Sequence, residues 1–135
     1  MNFQDLDDMI HDGVKKIVLD SDVVLDESDH LIYPTGIRLD ADGITIDGAG
    51  HTINAGGFNA FKVTGDSITL ENITFKNAVI FTHADVRLGI SRCSFEGSGN
   101  SGYSGGMIYN GGGDIALIDC SFKNADLSDD GSSIS

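Results

Sequence analysis

Apolar residues follow two different rhythms along this chain. In residues 3–12, FQDLDDMIHD, the residues Phe3, Leu6, Met9 and Ile10 recur three or four apart, and Gly13 follows. That spacing gathers them on one stripe of a short helix with a C-terminal stop. Beyond Gly13 the rhythm becomes short and alternating. The runs are VKKIVLD, DVVLD, LIYP, GIRLD, GITIDG, HTINA, AFKVTG, SITLEN, ITFKN, AVIFT, VRLGIS, CSFEG, GMIYN, IALID and CSFKN. Apolar residues at every second position, many of them β-branched, predict strands with one buried face. The pattern predicts no second helix.

Four of these segments repeat one another: ITIDGAGHTI (44–53), ITLENITF (68–75), LGISRCSF (88–95) and IALIDCSF (115–122), starting 24, 20 and 27 residues apart. In the last three copies the apolar positions match one for one. They are Ile68, Leu70, Ile73 and Phe75; Leu88, Ile90, Cys93 and Phe95; Ile115, Leu117, Cys120 and Phe122. A polar corner divides each copy, at Glu71-Asn72, Ser91-Arg92 and Ile118-Asp119, and Asp47-Gly48 opens a longer corner in the first. A further strand precedes each pair.

A period this short with three strands per copy predicts a solenoid of one coil per repeat. The Leu/Asn consensus of leucine-rich repeats is missing, and propeller blades are about twice as long. A parallel β-helix remains, with equivalent residues stacked about 4.8 Å apart on successive rungs. Ile73, Cys93 and Cys120 then form one inward ladder, and Phe75, Phe95 and Phe122 another.

The strings GITIDGAGHTINAGG, AFKVTGDSITLENITFKN and IDCSFKNA resemble the right-handed β-helix repeats of pectin-lyase-like proteins. The nearest likeness is to repetitive adhesin-like surface proteins of methanogenic archaea. GGMIYN at 105–110 is similar to the GGA half-motif of polymorphic outer-membrane proteins, with Met107 in place of Ala. The resemblance implies an all-β, right-handed parallel β-helix of about four coils. Residues 1–13 would form the capping helix, 14–125 the coils and 126–135 a polar tail. It also implies a place outside the cell, within a longer secreted protein, although Met1–Asp5 lacks the layout of a signal peptide.

Charge narrows the function classes. The 135 residues include 21 acidic and 8 basic ones, a formal net charge of −13. That balance argues against nucleic acid and anionic membranes as partners. No apolar run is long enough for membrane insertion as a helix. The acids are mostly Asp and glycines number 18, a vocabulary of turns.

Candidate chemistry is sparse. Stacked Cβ atoms about 4.8 Å apart lie wider than the roughly 3.8 Å of a disulfide, which favours reduced thiols at Cys93 and Cys120 over a rung-to-rung bridge. No cofactor or metal is expected; calcium, which needs several convergent oxygens, is the one ion the acids could serve, with Asp40, Asp42 and Asp47 as its candidates. DADGITID does not fit an EF-hand loop. In polysaccharide lyases of the resembled fold, Asp ladders hold calcium beside a basic residue. By that resemblance Arg38 and Asp40 are candidates to meet a ligand. Tyr103, in a Gly/Ser loop, and Tyr109 are candidates to stack on a sugar. His11, His30, His51 and His83 show no ligand spacing.

The expected function is a non-enzymatic adhesin-like module that binds a glycan or surface protein, or acts as a rigid display scaffold. The alternative is a calcium-assisted polysaccharide lyase or another carbohydrate-active enzyme. The polar end ADLSDDGSSIS suggests further coils of a parent protein, or end-to-end self-association.

Overall fold

A computed structural model describes residues 1–83, 85–97, 108–123 and 127–129. The chain opens with helix α1 (Phe3–Ile10). Asn2 caps it: its side chain accepts the Asp5 N–H at 2.9 Å, and the Asp5 carboxylate accepts the Asn2 N–H at 3.1 Å. This reciprocal box satisfies two backbone donors that the first turn leaves without partners. Phe3, Leu6 and Ile10 are buried and close one end of the core.

The rest is a parallel β-solenoid, laid down rung by rung. The first rung is β1 (Lys16–Val18), β2 (Val23–Val24), a helix α2 (Glu27–Ile32) and β3 (Ile37–Leu39). The second is β4 (Thr45–Asp47) and β5 (Thr52–Val63); the third is β6 (Ile68–Glu71) and β7 (Thr74–Thr82). The fourth is β8 (Arg87–Ser91), β9 (Ser94–Glu96) and β10 (Ile108–Asn110); the fifth is β11 (Asp114–Ile118), β12 (Ser121–Lys123) and β13 (Leu127–Asp129). Three rungs are enclosed between a first rung widened by α2 and an end rung, which differs slightly from the four coils expected. β13 falls within the segment read from sequence as polar tail.

Helix α2 corrects the expectation of a single helix. It spans ESDHLI and so takes in the first half of the run LIYP, which alternation assigns to a strand. Asp26 caps α2 through the Asp29 N–H at 2.9 Å, and Asp29 Oδ2 accepts the Asp26 N–H at 3.0 Å. The same oxygen accepts the Phe3 N–H at 3.1 Å, so one buried carboxylate ties both helix starts together. Leu31 is 89% exposed, so the apolar pattern there does not report burial.

Three faces enclose the core. The first stacks β1, β4, β6, β8 and β11 in parallel. The second joins β2, the first half of β5, the first half of β7, β9 and β12; the third joins β3, the second halves of β5 and β7, β10 and β13. β5 and β7 each merge two strands that the sequence suggests separately. Ile17, Ile46, Leu70, Ile90 and Leu117 make one inward ladder on the first face. Val23, Ile53, Phe75, Phe95 and Phe122 make another on the second. In both ladders the end-rung member is less buried than those inside.

The corner between the first and second faces repeats its backbone. Asn72, Arg92 and Asp119 occupy the same place and have φ of 55°, 52° and 53°. One left-handed residue turns the chain there, a conformation Asn and Asp tolerate better than most. The second rung makes this corner through Gly48, where an added Cβ would meet Asn72 O and Ile73 Cγ1 at 2.5 Å. Glycine is required by that close approach.

Candidate functional site

Alternation on the third face sends Ile37, Phe61, Ile80 and Ile108 inward, all buried. Their neighbours Arg38, Lys62, Phe81 and Tyr109 therefore form one outward row, in register from β3 through β5 and β7 to β10. Four rungs at the parallel-strand spacing make a row about 14 Å long. Phe81 and Tyr109 stack with centroids 5.2 Å apart and planes 8° from parallel, and His83 meets the Phe81 ring edge-on at 5.5 Å. Arg38 is exposed, while Lys62, Phe81 and Tyr109 are half-buried. Two cations thus adjoin two stacked aromatic rings on one side of the solenoid.

Of the sequence candidates, Arg38 and Tyr109 come together in this row. Lys62 and Phe81 were missed. Their signal was partial: Lys62 is the outward residue between two apolar ones in F-K-V, as Arg38 is in I-R-L, whereas Phe81 in I-F-T lies between an apolar and a polar residue, both buried. Tyr103 lies outside the described residues.

Arg38 also borders a second feature, a groove of about 430 Å³ between α1 and the first rung, where Asp7, His11, Tyr33 and Asp40 meet. His11 Nδ1 lies 2.7 Å from Asp7 Oδ1, and Nε2 lies 3.2 Å from Asp40 Oδ1. The Tyr33 hydroxyl donates to Asp7 Oδ2 at 2.7 Å. Burial and this bond to a carboxylate push the Tyr33 pKa up. Burial lowers the His11 pKa, but hydrogen bonds to the Asp7 carbonyl and the Asp40 carboxylate, with both negative charges, outweigh it and leave the pKa raised.

The calcium candidates do not share a point. Asp40 faces His11. Asp42 Oδ1 accepts the Asp66 N–H at 2.9 Å, and its carbonyl accepts Lys15 Nζ at 2.8 Å. Asp47 Oδ1 accepts the Ala49 N–H at 2.9 Å and Asn72 Nδ2 at 3.1 Å, and these bonds hold its pKa below the usual value. Among the described residues no three His, Cys, Asp or Glu side chains converge as a metal would require.

What the corner acids do bind is the backbone of the next rung. Asp22 Oδ1 accepts the Thr52 N–H and Asp66 Oδ1 the Arg87 N–H, at 2.9 and 2.8 Å. Arg92 extends a polar ladder across three rungs, donating Nε to Asn72 Oδ1 at 3.0 Å and Nη2 to Glu71 Oε2 at 2.9 Å. The abundance of Asp at turns thus has a structural use.

Both cysteines are free thiols. The single S–H of Cys93 has two carbonyl acceptors in reach, Ser91 O at 3.4 Å and Leu70 O at 3.6 Å. Cys120 repeats the pattern one rung on, with Ile118 O and Ile90 O both at 3.4 Å.

Compared with known proteins, the chain matches no family model, no curated protein and no solved structure.

Proposed function

We propose that this chain is a non-enzymatic, adhesin-like β-solenoid module displayed at a cell surface, and that its third face binds a neutral glycan. The observation that carries this reading is the outward row Arg38, Lys62, Phe81 and Tyr109 with its stacked ring pair. Aromatic rings present an apolar face to the C–H side of a sugar, and Lys and Arg donate hydrogen bonds to its hydroxyls. A rigid sheet holds such groups in place with little entropy left to lose on binding. The formal net charge of −13 repels a polyanion, which favours a neutral ligand over a polyuronate. The likeness of ITLENITFKN to archaeal adhesin repeats supports the surface placement.

The test is an array of neutral and acidic oligosaccharides, run beside a turnover assay on polyuronates with calcium. Retention of neutral glycans without turnover is the expected result. Calcium-dependent cleavage would replace this reading with the lyase alternative. Silence in both assays would leave a rigid spacer.

A further inference from the structure

We propose that His11 is a proton-operated latch that holds the capping helix α1 onto the first rung of the solenoid. The imidazole stands between two carboxylates on different elements. Asp7 belongs to α1, and Asp40 follows β3. The contact therefore crosses the seam between cap and coil. A doubly protonated ring donates from both nitrogens and carries a charge attracted to both acids. A neutral ring has one N–H and can donate to one of them only.

The groups facing His11 come from every element at the seam. From α1 they are Asp7 and Asp8; after α2, Tyr33; from β3 and the turn beyond it, Arg38 and Asp40. Three carboxylates against one guanidinium leave the groove negative, so a protonated imidazole is favoured there. Tyr33 backs the arrangement by fixing Asp7 at 2.7 Å.

The seam matters because of what the helix covers. Phe3, Leu6 and Ile10 are at most 3% exposed and belong to the same apolar core as Ile37 and Leu39. His11 itself ends α1, so its Nε2–Asp40 contact is the one that crosses the seam; losing the proton removes the charge that draws the ring to Asp40 and leaves one N–H to serve both acids. Other ties remain at the helix start, including Asn2 Nδ2 to Asp26 Oδ2 at 3.0 Å and Phe3 N–H to Asp29. The expected motion is therefore a loosening at the C-terminal turn of α1, hinged at its capped start. Local openings of this kind report on a segment's own stability, apart from global unfolding.

Amide hydrogen exchange across α1, corrected for the intrinsic pH dependence of exchange, reads this directly. The full chain is measured on both sides of the ordinary histidine pKa, about pH 5 and about pH 8. Protection of Met9, Ile10 and His11 is expected to fall at the higher pH, while Phe75 and Phe95 keep theirs. His11→Gln should be loosened at both pH values. His11→Lys, which keeps a positive charge, should stay protected at both. Equal pH dependence in wild type and His11→Gln would overturn the latch, as would protection in the wild type that does not change with pH.

Discussion

The rings of Phe75 and Phe95 lie face to face on adjacent rungs, with centroids 5.0 Å apart and planes 14° from parallel. Phe122 continues the stack at 4.8 Å and 7° from Phe95. Parallel in-register pairing dictates this arrangement, because identical positions must sit one rung above another. Phe95 is fully buried at the middle of the stack. Phe95→Ala should destabilise the domain by about 3–5 kcal/mol in urea unfolding. Phe122→Ala, at the less buried end, should have a smaller effect. Phe95→Asp, which buries a charge, should prevent folding. An unchanged melting curve for Phe95→Asp would refute the register.

The rungs were legible because their inward residues recur one for one and each keeps its ladder in three dimensions. Helix α2 was not, since a capping box at Asp26 and Asp29 starts it while Leu31 and Ile32 face solvent. The local hydrogen bonds prevailed over the apolar pattern there. The unbroken β5 and β7 were hidden for a related reason. Register shifts in β5 and the left-handed Asn77 (φ 47°) in β7 bend the chain without ending its pairing. Of the outward row, Arg38 and Tyr109 stand 71 residues apart in the sequence, and only the register of the rungs joins them with Lys62 and Phe81. The His11 groove could not be read at all, because Asp40 is 29 residues away.

The two thiols should differ in reactivity. Cys93 is buried, and burial pushes its thiol pKa up to about 12. The thiolate is the reacting species, so Cys93 should resist alkylation in the folded protein. Cys120, one rung on and partly exposed, should be labelled first. Mass spectrometry after brief alkylation, with and without denaturant, checks this: one label on the folded chain and two on the unfolded one. Equal labelling of both cysteines in the folded chain would contradict the ladder.

Asp66 offers a titration with a definite sign. Nε and Nη2 of Arg87 donate to its two oxygens at 3.2 and 2.8 Å, and with the Arg87 N–H they hold its pKa at about 2, below the ordinary 3.8 of an aspartate. A depressed carboxylate pKa adds stability that is present above 3.8 and lost as pH falls through about 2. Arg87→Gln should move the Asp66 midpoint, followed by carboxyl NMR, back toward 3.8. The surviving backbone N–H keeps it from returning fully. A midpoint unchanged by the substitution would show that Arg87 is not the cause.

If the third face binds the glycan, two outward lysines on different faces should behave differently. Lys62 lies in the proposed row, whereas Lys123 points outward from the second face. Calorimetric titration with the best neutral glycan from the array should show Lys62→Ala binding about tenfold more weakly, the loss of one or two good hydrogen bonds. Lys123→Ala should bind as the wild type does. Equal affinities for wild type and both variants, with folding intact by circular dichroism, would exclude the third face as the binding surface.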